Sequence, residues 1–191
     1  MKKLWYKFSR LVIKMFGNFQ LFPYPFFLIL WGNTHYKVGG KEVRVLINTL
    51  KPGDIVLRRY DRYVSGWFIP GFWTHVGIMV SDKNIVHAIS PWGVIEEDIL
   101  TYLRTDHIKV LRVESEAEVK AAVATAPTLK GREYDFVFDT TDDSRLYCSE
   151  LVKYCYPRTF GEVGKGTIPP DKLAEVGLKV IHDSKEFRKE G

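Results

Sequence analysis

The stretch Trp73–Ser90, WTHVGIMVSDKNIVHAIS, holds two apolar runs, each with a histidine, joined by a short polar turn. In the first run Val76, Ile78 and Val80 alternate with Gly77 and Met79, so almost every side chain is apolar and a strand buried on both faces is expected. An imidazole at the head of such a strand calls for a group that works with it. The return run carries His87, and the two runs are expected to pair as a hairpin. His75 and His87 share a face if the turn is a three-residue loop or the hairpin carries one bulge. A plain two-residue loop would put them on opposite faces.

The pattern extends on both sides of this hairpin. In Leu50–Arg58, LKPGDIVLR, a Pro-Gly-Asp turn precedes an apolar strand from Ile55. Strands are expected at His75 to Val80, Ile85 to Ile89, Val94 to Asp98 and His107 to Val113, with short turns between most of them, which points to an antiparallel meander rather than βαβ units. Glu114 to Leu129 reads as a helix with Ser115 as N-cap and a face of Val119, Val123 and Ala126. A second helix is expected to begin near Tyr147 and end before Pro157, with Asp142, Asp143 and Ser144 as cap-type residues and Leu151, Val152 and Cys155 as a buried stripe. A Pro-Pro turn, a short helix from Asp171 and a strand around Leu178 to Ile181 complete an α+β domain.

The two cysteines, Cys148 and Cys155, lie on that second helix, about 10 Å apart by its rise, beyond disulfide reach. Cys148 falls in the first turn, where unpaired N–H groups and the helix dipole favour negative charge and are expected to lower its thiol pKa. A cysteine so placed becomes a nucleophile when a histidine takes its proton; otherwise it is a small buried core residue, as Cys155 is expected to be. In the shared-face register, His87 would orient His75 through its second nitrogen.

THVGIMVSDKNIVHAISPWGV resembles the histidine hairpin of NlpC-type papain-like cysteine hydrolases, LKPGDIVLR resembles the strand before it, and YCSELVKYCY resembles the nucleophile helix. The order His, His, Cys matches the circularly permuted branch of that superfamily, which includes the YiiX-like and the lecithin:retinol acyltransferase-like proteins. GREYDFVFD, ahead of the cysteine, is similar to the YiiX-like segment, and YCSELV departs from the Asn-Cys-Glu-His motif of the acyltransferases. The resemblance covers about Leu50 to Tyr156. It implies a permuted papain-like fold, an antiparallel sheet packed against a nucleophile-bearing helix. It also implies Cys148 as nucleophile, His75 as general base and His87 as the ring-orienting residue of a cysteine hydrolase acting on amide, ester or thioester bonds through an acyl-enzyme, without a cofactor. Backbone N–H groups at the start of the Cys148 helix are the natural oxyanion hole. Tyr147 either adds a hydroxyl or only packs. The loop Ser65 to Trp73, SGWFIPGFW, with Phe72 and Trp73, either lines an apolar groove or plugs the core. Glu96, Glu97 and Asp98 read as solvated.

Composition narrows the partners. With 191 residues, 46% apolar, the chain fits one domain with an appendage, and its net charge of +5 suits an anionic surface. No nucleic-acid-binding motif accompanies that charge, so the expected partners are a peptide or acylated substrate and an anionic membrane surface. Residues 1–40 are basic and aromatic and contain no Asp or Glu, and the ordinary globular texture of 41–191 follows. Leu4 to Phe16 reads as an amphipathic helix, with Leu4, Phe8, Leu11, Val12 and Met15 near one face, which either attaches to a membrane interface or simply covers the domain. The apolar run Leu21 to Trp31 contains Pro23 and Pro25 and is too short to span a bilayer, and no A-x-A-like cleavage site follows it. A cytoplasmic or peripheral-membrane location is therefore expected ahead of secretion. Two rivals stand beside the hydrolase: a noncatalytic membrane-associated module that keeps the fold, and a zinc site of His75, His87 and Cys148. No Cys-x-x-Cys or His-Glu-x-x-His spacing supports a metal.

Overall fold

A computed structural model gives the fold and describes residues 5, 7–12, 19–22, 28–31, 36–61, 63, 66, 69–138, 140–163 and 166–189. Ahead of the domain, Phe19–Phe22 (β1) and Leu28–Trp31 (β2) pair as antiparallel strands. Next come a helix Gly40–Thr49 (α1), strands Ile55–Arg59 (β3), His75–Met79 (β4), Asn84–Ile89 (β5) and Gly93–Asp98 (β6), and a short helix Ile99–Tyr102 (α2). Strand His107–Arg112 (β7) leads into helix Glu116–Thr125 (α3), which closes in a 3-10 turn at Ala126–Leu129. The small strands Glu133–Tyr134 (β8) and Arg145–Leu146 (β9) precede the helix Cys148–Cys155 (α4). Helices Pro157–Phe160 (α5) and Pro170–Ala174 (α6), strand Lys179–Asp183 (β10) and helix Ser184–Phe187 (α7) follow.

Six of these strands form one sheet in the order β10-β7-β3-β4-β5-β6, with every recorded pairing antiparallel. Strand alternation sorts its side chains into two cores. Ile55, Leu57, Val76, Ile78, Val86, Ala88 and Leu111 face α4, where Leu151, Val152 and Cys155 meet them. Val56, Met79, Ile85, Ile108 and Val110 point the other way, toward Leu46 of α1 and Tyr102 of α2. The central strands are covered on both sides, as their unbroken apolar runs require. The chain is tied to this body from Lys37 onward: Lys37 N donates to Asp106 Oδ1 at 3.2 Å and Val38 N to Thr105 O at 3.1 Å.

The Pro-Gly-Asp turn is fixed by its own acid. Asp54 is buried, accepts from Lys51 N at 2.8 Å, and takes a two-pronged ion pair from Arg112, at 2.7 Å to each oxygen. Two expected details differ. Ser115 does cap α3, but the buried positions of that helix are Glu118 and Ala122, with Ala126 following, while Val119 and Val123 are half-buried. Glu118 is drawn inward because its carboxylate accepts from Arg158 N, Thr159 N and the Thr159 hydroxyl, the amides that open α5. Asp142 and Ser144 bond each other rather than capping α4, whose N-cap is Tyr147, with Glu150 Oε2 accepting from Tyr147 N at 3.4 Å.

The loop leading into β4 is clamped to α6. Phe72 N and Trp73 N both donate to the Asp171 carboxylate, the latter at 3.0 Å. Gly71 sits at φ +102, where a Cβ would lie 1.6 Å from Asp171 Oδ2. Gly131 has a similar φ, +88, but open space around it. Gly71→Ala is therefore expected to destabilise by about 2 kcal/mol or more, from backbone strain plus displacement of the clamp, and to lower the urea midpoint further than Gly131→Ala does. Equal midpoints for the two variants would show that the clamp contributes nothing.

Candidate active site

The hairpin turn has the register that brings the imidazoles together. Val80 N donates to Asn84 O at 2.9 Å, leaving Ser81–Lys83 as a three-residue loop, and Ile78 pairs with Val86. Continued by one residue, that register sets His87 across from Gly77, and His75 is its diagonal neighbour on the same face. The rings meet edge to face, with His75 Nε2 2.8 Å from His87 Nδ1. Gly77 makes the diagonal possible, because a Cβ there would approach His87 Cβ to 3.1 Å and Ile85 Cδ1 to 3.0 Å.

The row does not end at two residues. Arg58 on β3 stands directly opposite His75. Glu97 on β6 pairs with Ile85, which makes it the diagonal neighbour of His87. Four adjacent strands thus place Arg58, His75, His87 and Glu97 in one line on one face. Glu97 Oε2 lies 3.3 Å from His87 Nε2 and 3.7 Å from Arg58 Nη1. Arg58 is buried, with its guanidinium 4.0 Å from the Tyr102 ring centre and Nη1 donating to Tyr102 O at 3.1 Å. Glu97 is therefore not a solvated member of its acidic run. Glu96, on the opposite face, bonds Asn84 and Lys130 outside, and Asp98 caps α2. Strict alternation along β6, applied from His87 outward, is the signal that separates Glu97 from its neighbours.

Cys148 opens α4 and is buried among core side chains. Its sulfur is met by the N–H of Val76, the residue after His75, and by the amides of Cys148 and Ser149 at the helix start. Val76 N–H is free for this role because of strand geometry. Met79 N donates to Asp54 O on the β3 side, so the N–H of Val76, three residues away, points toward β5, and the recorded β4–β5 pairing stops at Ile78. The thiol sits at the fork where the two strands part. Cys155 lies one helix end away, also as a free, buried thiol.

Burial sets the direction of the shift at Cys148, His75 and His87. It pushes the Cys148 thiol up, and the surrounding N–H groups only partly oppose it, so the lowered pKa expected from the helix start is not found. His75 is held well below the usual imidazole range, by burial first, then by the Arg58 guanidinium and the neighbouring His87. His87 is likewise lowered by burial, against the pull of Glu97. Glu97 is lowered: burial opposes its ionisation, but His87 and Arg58 outweigh it. Burial thus favours the neutral forms of the thiol and of both imidazoles, beside the Arg58–Glu97 pair.

The other expected site residues are placed as follows. Tyr147 is buried, and its hydroxyl accepts from Ile168 N at 3.0 Å. Trp73 is buried in the core that includes Cys148, while Phe72 is half-buried, edge-on to Trp73 and His107, with Lys185 Nζ 3.4 Å from its ring centre. Ser65, Trp67 and Phe68 of the proposed groove lie outside the described residues. Among the described residues no group of three His, Cys, Asp or Glu is arranged to hold a metal ion, and the two imidazoles point their nitrogens at each other.

Comparison with known proteins supports the fold and the family. No curated protein matches the chain. Among solved structures it is similar to the metalloprotein yiiX from Escherichia coli O157:H7, at a TM-score of 0.58 and 18% identity, covering 71% of this chain and 98% of that one. That likeness extends to the fold alone. A family model described as permuted papain-like amidase enzyme, YaeF/YiiX, C92 family, matches residues 49–172, which is more than half of the chain and includes His75, His87, Glu97 and Cys148. With its His-His-Cys order, its antiparallel sheet and its cysteine-headed helix, the chain belongs to the permuted papain-like amidases of the YaeF/YiiX family, a family of cysteine hydrolases.

Proposed function

We propose that the chain cleaves amide, ester or thioester bonds through Cys148, His75 and His87, on a peptide or acylated substrate. The observation that carries this reading is the 2.8 Å contact between His75 Nε2 and His87 Nδ1, on a strand whose next N–H meets the Cys148 sulfur. With Nε2 so engaged, Nδ1 is the nitrogen of His75 left to serve as base. It takes the thiol proton as the sulfur attacks the carbonyl carbon. The oxyanion is held by helix-start amides, and the same proton passes to the leaving group as the tetrahedral intermediate collapses. Water then gives a proton to His75 Nδ1 and its oxygen to the acyl carbon, and Cys148 leaves with the proton restored. A neutral resting pair suits this sequence, since the thiol still holds the proton that an uncharged His75 takes as the sulfur attacks.

A panel of amide, ester and thioester compounds, read by mass on Cys148, tests the assignment and reports the substrate class. The wild type is expected to carry an acyl adduct on Cys148. His75→Ala should lower its rate of formation by about 100-fold or more, and Cys148→Ala should carry none. Adduct formation at an unchanged rate in His75→Ala, or none from any compound, would remove the hydrolase assignment and leave the binding module.

A second reading concerns where the substrate is met. The described residues Trp5 and Lys7–Val12 are helical, and Trp5, Phe8 and Leu11 are exposed, at 62%, 55% and 54%. They form one apolar stripe, with Arg10 on the far side and Lys7 flanking it, and the remainder of the expected Leu4 to Phe16 helix lies outside the described residues. Among the described residues no helix is long and apolar enough to cross a membrane. We infer that this stripe rests on an anionic bilayer surface and holds the enzyme near lipid-linked substrates. Full-length protein should cosediment with phosphatidylserine-containing vesicles and less with neutral ones, and Trp5→Glu/Phe8→Glu should stay in the supernatant. Equal sedimentation of wild type and variant would contradict the inference.

A further inference from the structure

His87 has two ring nitrogens, and each faces a group that decides which of them carries the proton. Nδ1 is 2.8 Å from His75 Nε2, and Nε2 is 3.3 Å from Glu97 Oε2. Both His87 Nε2 and Glu97 Oε2 are buried and have no hydrogen-bonding partner among the described residues, so each is the nearest answer to the other. An ionised carboxylate only accepts hydrogen bonds. Arg58, 3.7 Å from the same oxygen and sealed under Tyr102, favours that ionised form. A carboxylate at that end requires a proton on His87 Nε2, which leaves a lone pair on Nδ1. That lone pair requires a proton on His75 Nε2, which leaves a lone pair on His75 Nδ1.

Resting on the assignment of His75 as base, we infer that Glu97 is a positioning residue that fixes the tautomers of His87 and His75 in series, leaving His75 Nδ1 unprotonated for the thiol. Without the carboxylate His87 is free to carry its proton on Nδ1 and donate to His75 Nε2. The proton of His75 then sits on Nδ1, and the ring cannot accept from Cys148. Arg58 acts one step further back by holding the carboxylate charged. The residues occupy four neighbouring strands in one row, so the hydrogen-bond sense is transmitted across the sheet through rigid backbone. Second groups that orient a catalytic imidazole commonly act in this way.

Nitrogen-15 spectra of the imidazoles in the full chain read the tautomers without any substrate. The wild type is expected to show protonated Nε2 and bare Nδ1 on both His75 and His87. Glu97→Leu should move protonation of His75 toward Nδ1 and lower Cys148 acylation by about 100-fold. Glu97→Gln, whose side-chain oxygen still accepts, should retain the wild-type tautomers, and so should Glu96→Leu on the outer face. Because Glu97→Leu strands a buried guanidinium, Arg58→Met/Glu97→Leu removes both charges and should show the same tautomer change in a folded protein. Unchanged His75 tautomers in folded Glu97→Leu or in the double variant would overturn the inference, as would a wild type with its His75 proton on Nδ1. Wild-type tautomers as expected, with no acylation of Cys148 by any compound, would leave the inference standing and remove the hydrolase assignment instead.

Discussion

The contact between His75 and His87 depends on the three residues of one turn. Ser81, Asp82 and Lys83 set the parity of the hairpin, and a turn shorter by one would send one imidazole into the α4 core and leave the other against Tyr102. With the observed parity both rings fall on the α2 face, and Gly77 leaves the space between them. The same parity carries Arg58 and Glu97 into the row, because neighbouring strands pair in register with the hairpin. The thiol joins this row from the opposite face by entering the fork where β4 and β5 separate.

Burial is the second constraint, and it runs against charge throughout the site. A thiolate–imidazolium pair in this setting would set two charges in a poorly solvated place that already contains a guanidinium and a carboxylate. Burial favours the neutral thiol and imidazoles, while Arg58 and Glu97 compensate each other. In the proposed reaction charge is required only transiently, when His75 takes the proton, and at that moment Glu97 lies one ring away from it. For Cys148 as the proposed nucleophile, the cost of this arrangement is lower reactivity at rest.

Much of the fold was legible in the sequence because its strands are marked by period-two apolar runs closed by turn residues. β3 to β7 lie within a residue or so of where those runs placed them, and Ser115 and Pro157 bound their helices as expected. The family emerged from three motifs in permuted order, and their chemistry-bearing residues fall inside the matched segment. The register at His75 and His87 was open, because alternation gives parity only once the first pair of the hairpin is known. Glu97 is hidden for a related reason: a carboxylate between two other acids looks solvated until the strand is laid beside β5. The capping roles of Asp142 and Ser144 and the inward turn of Glu118 were also misread, since both depend on segments distant in the chain. The thiol shift went the other way because the sequence displays the helix start but not the depth at which the helix is packed.

The neutral resting state is the central claim, and the pH dependence of Cys148 alkylation tests it most directly. Iodoacetamide labelling of the full chain, mapped by peptide mass from about pH 5 to about pH 10, follows the thiolate, which is the form that reacts. Because burial raises the Cys148 thiol, its labelling should stay slow through neutral pH and climb only above the ordinary thiol range. Cys155, pushed up to about 12 by burial despite the Arg132 charge, should remain unlabelled throughout. A Cys148 rate that has already reached its plateau at or below about pH 7 would reveal a thiolate–imidazolium pair and contradict the account.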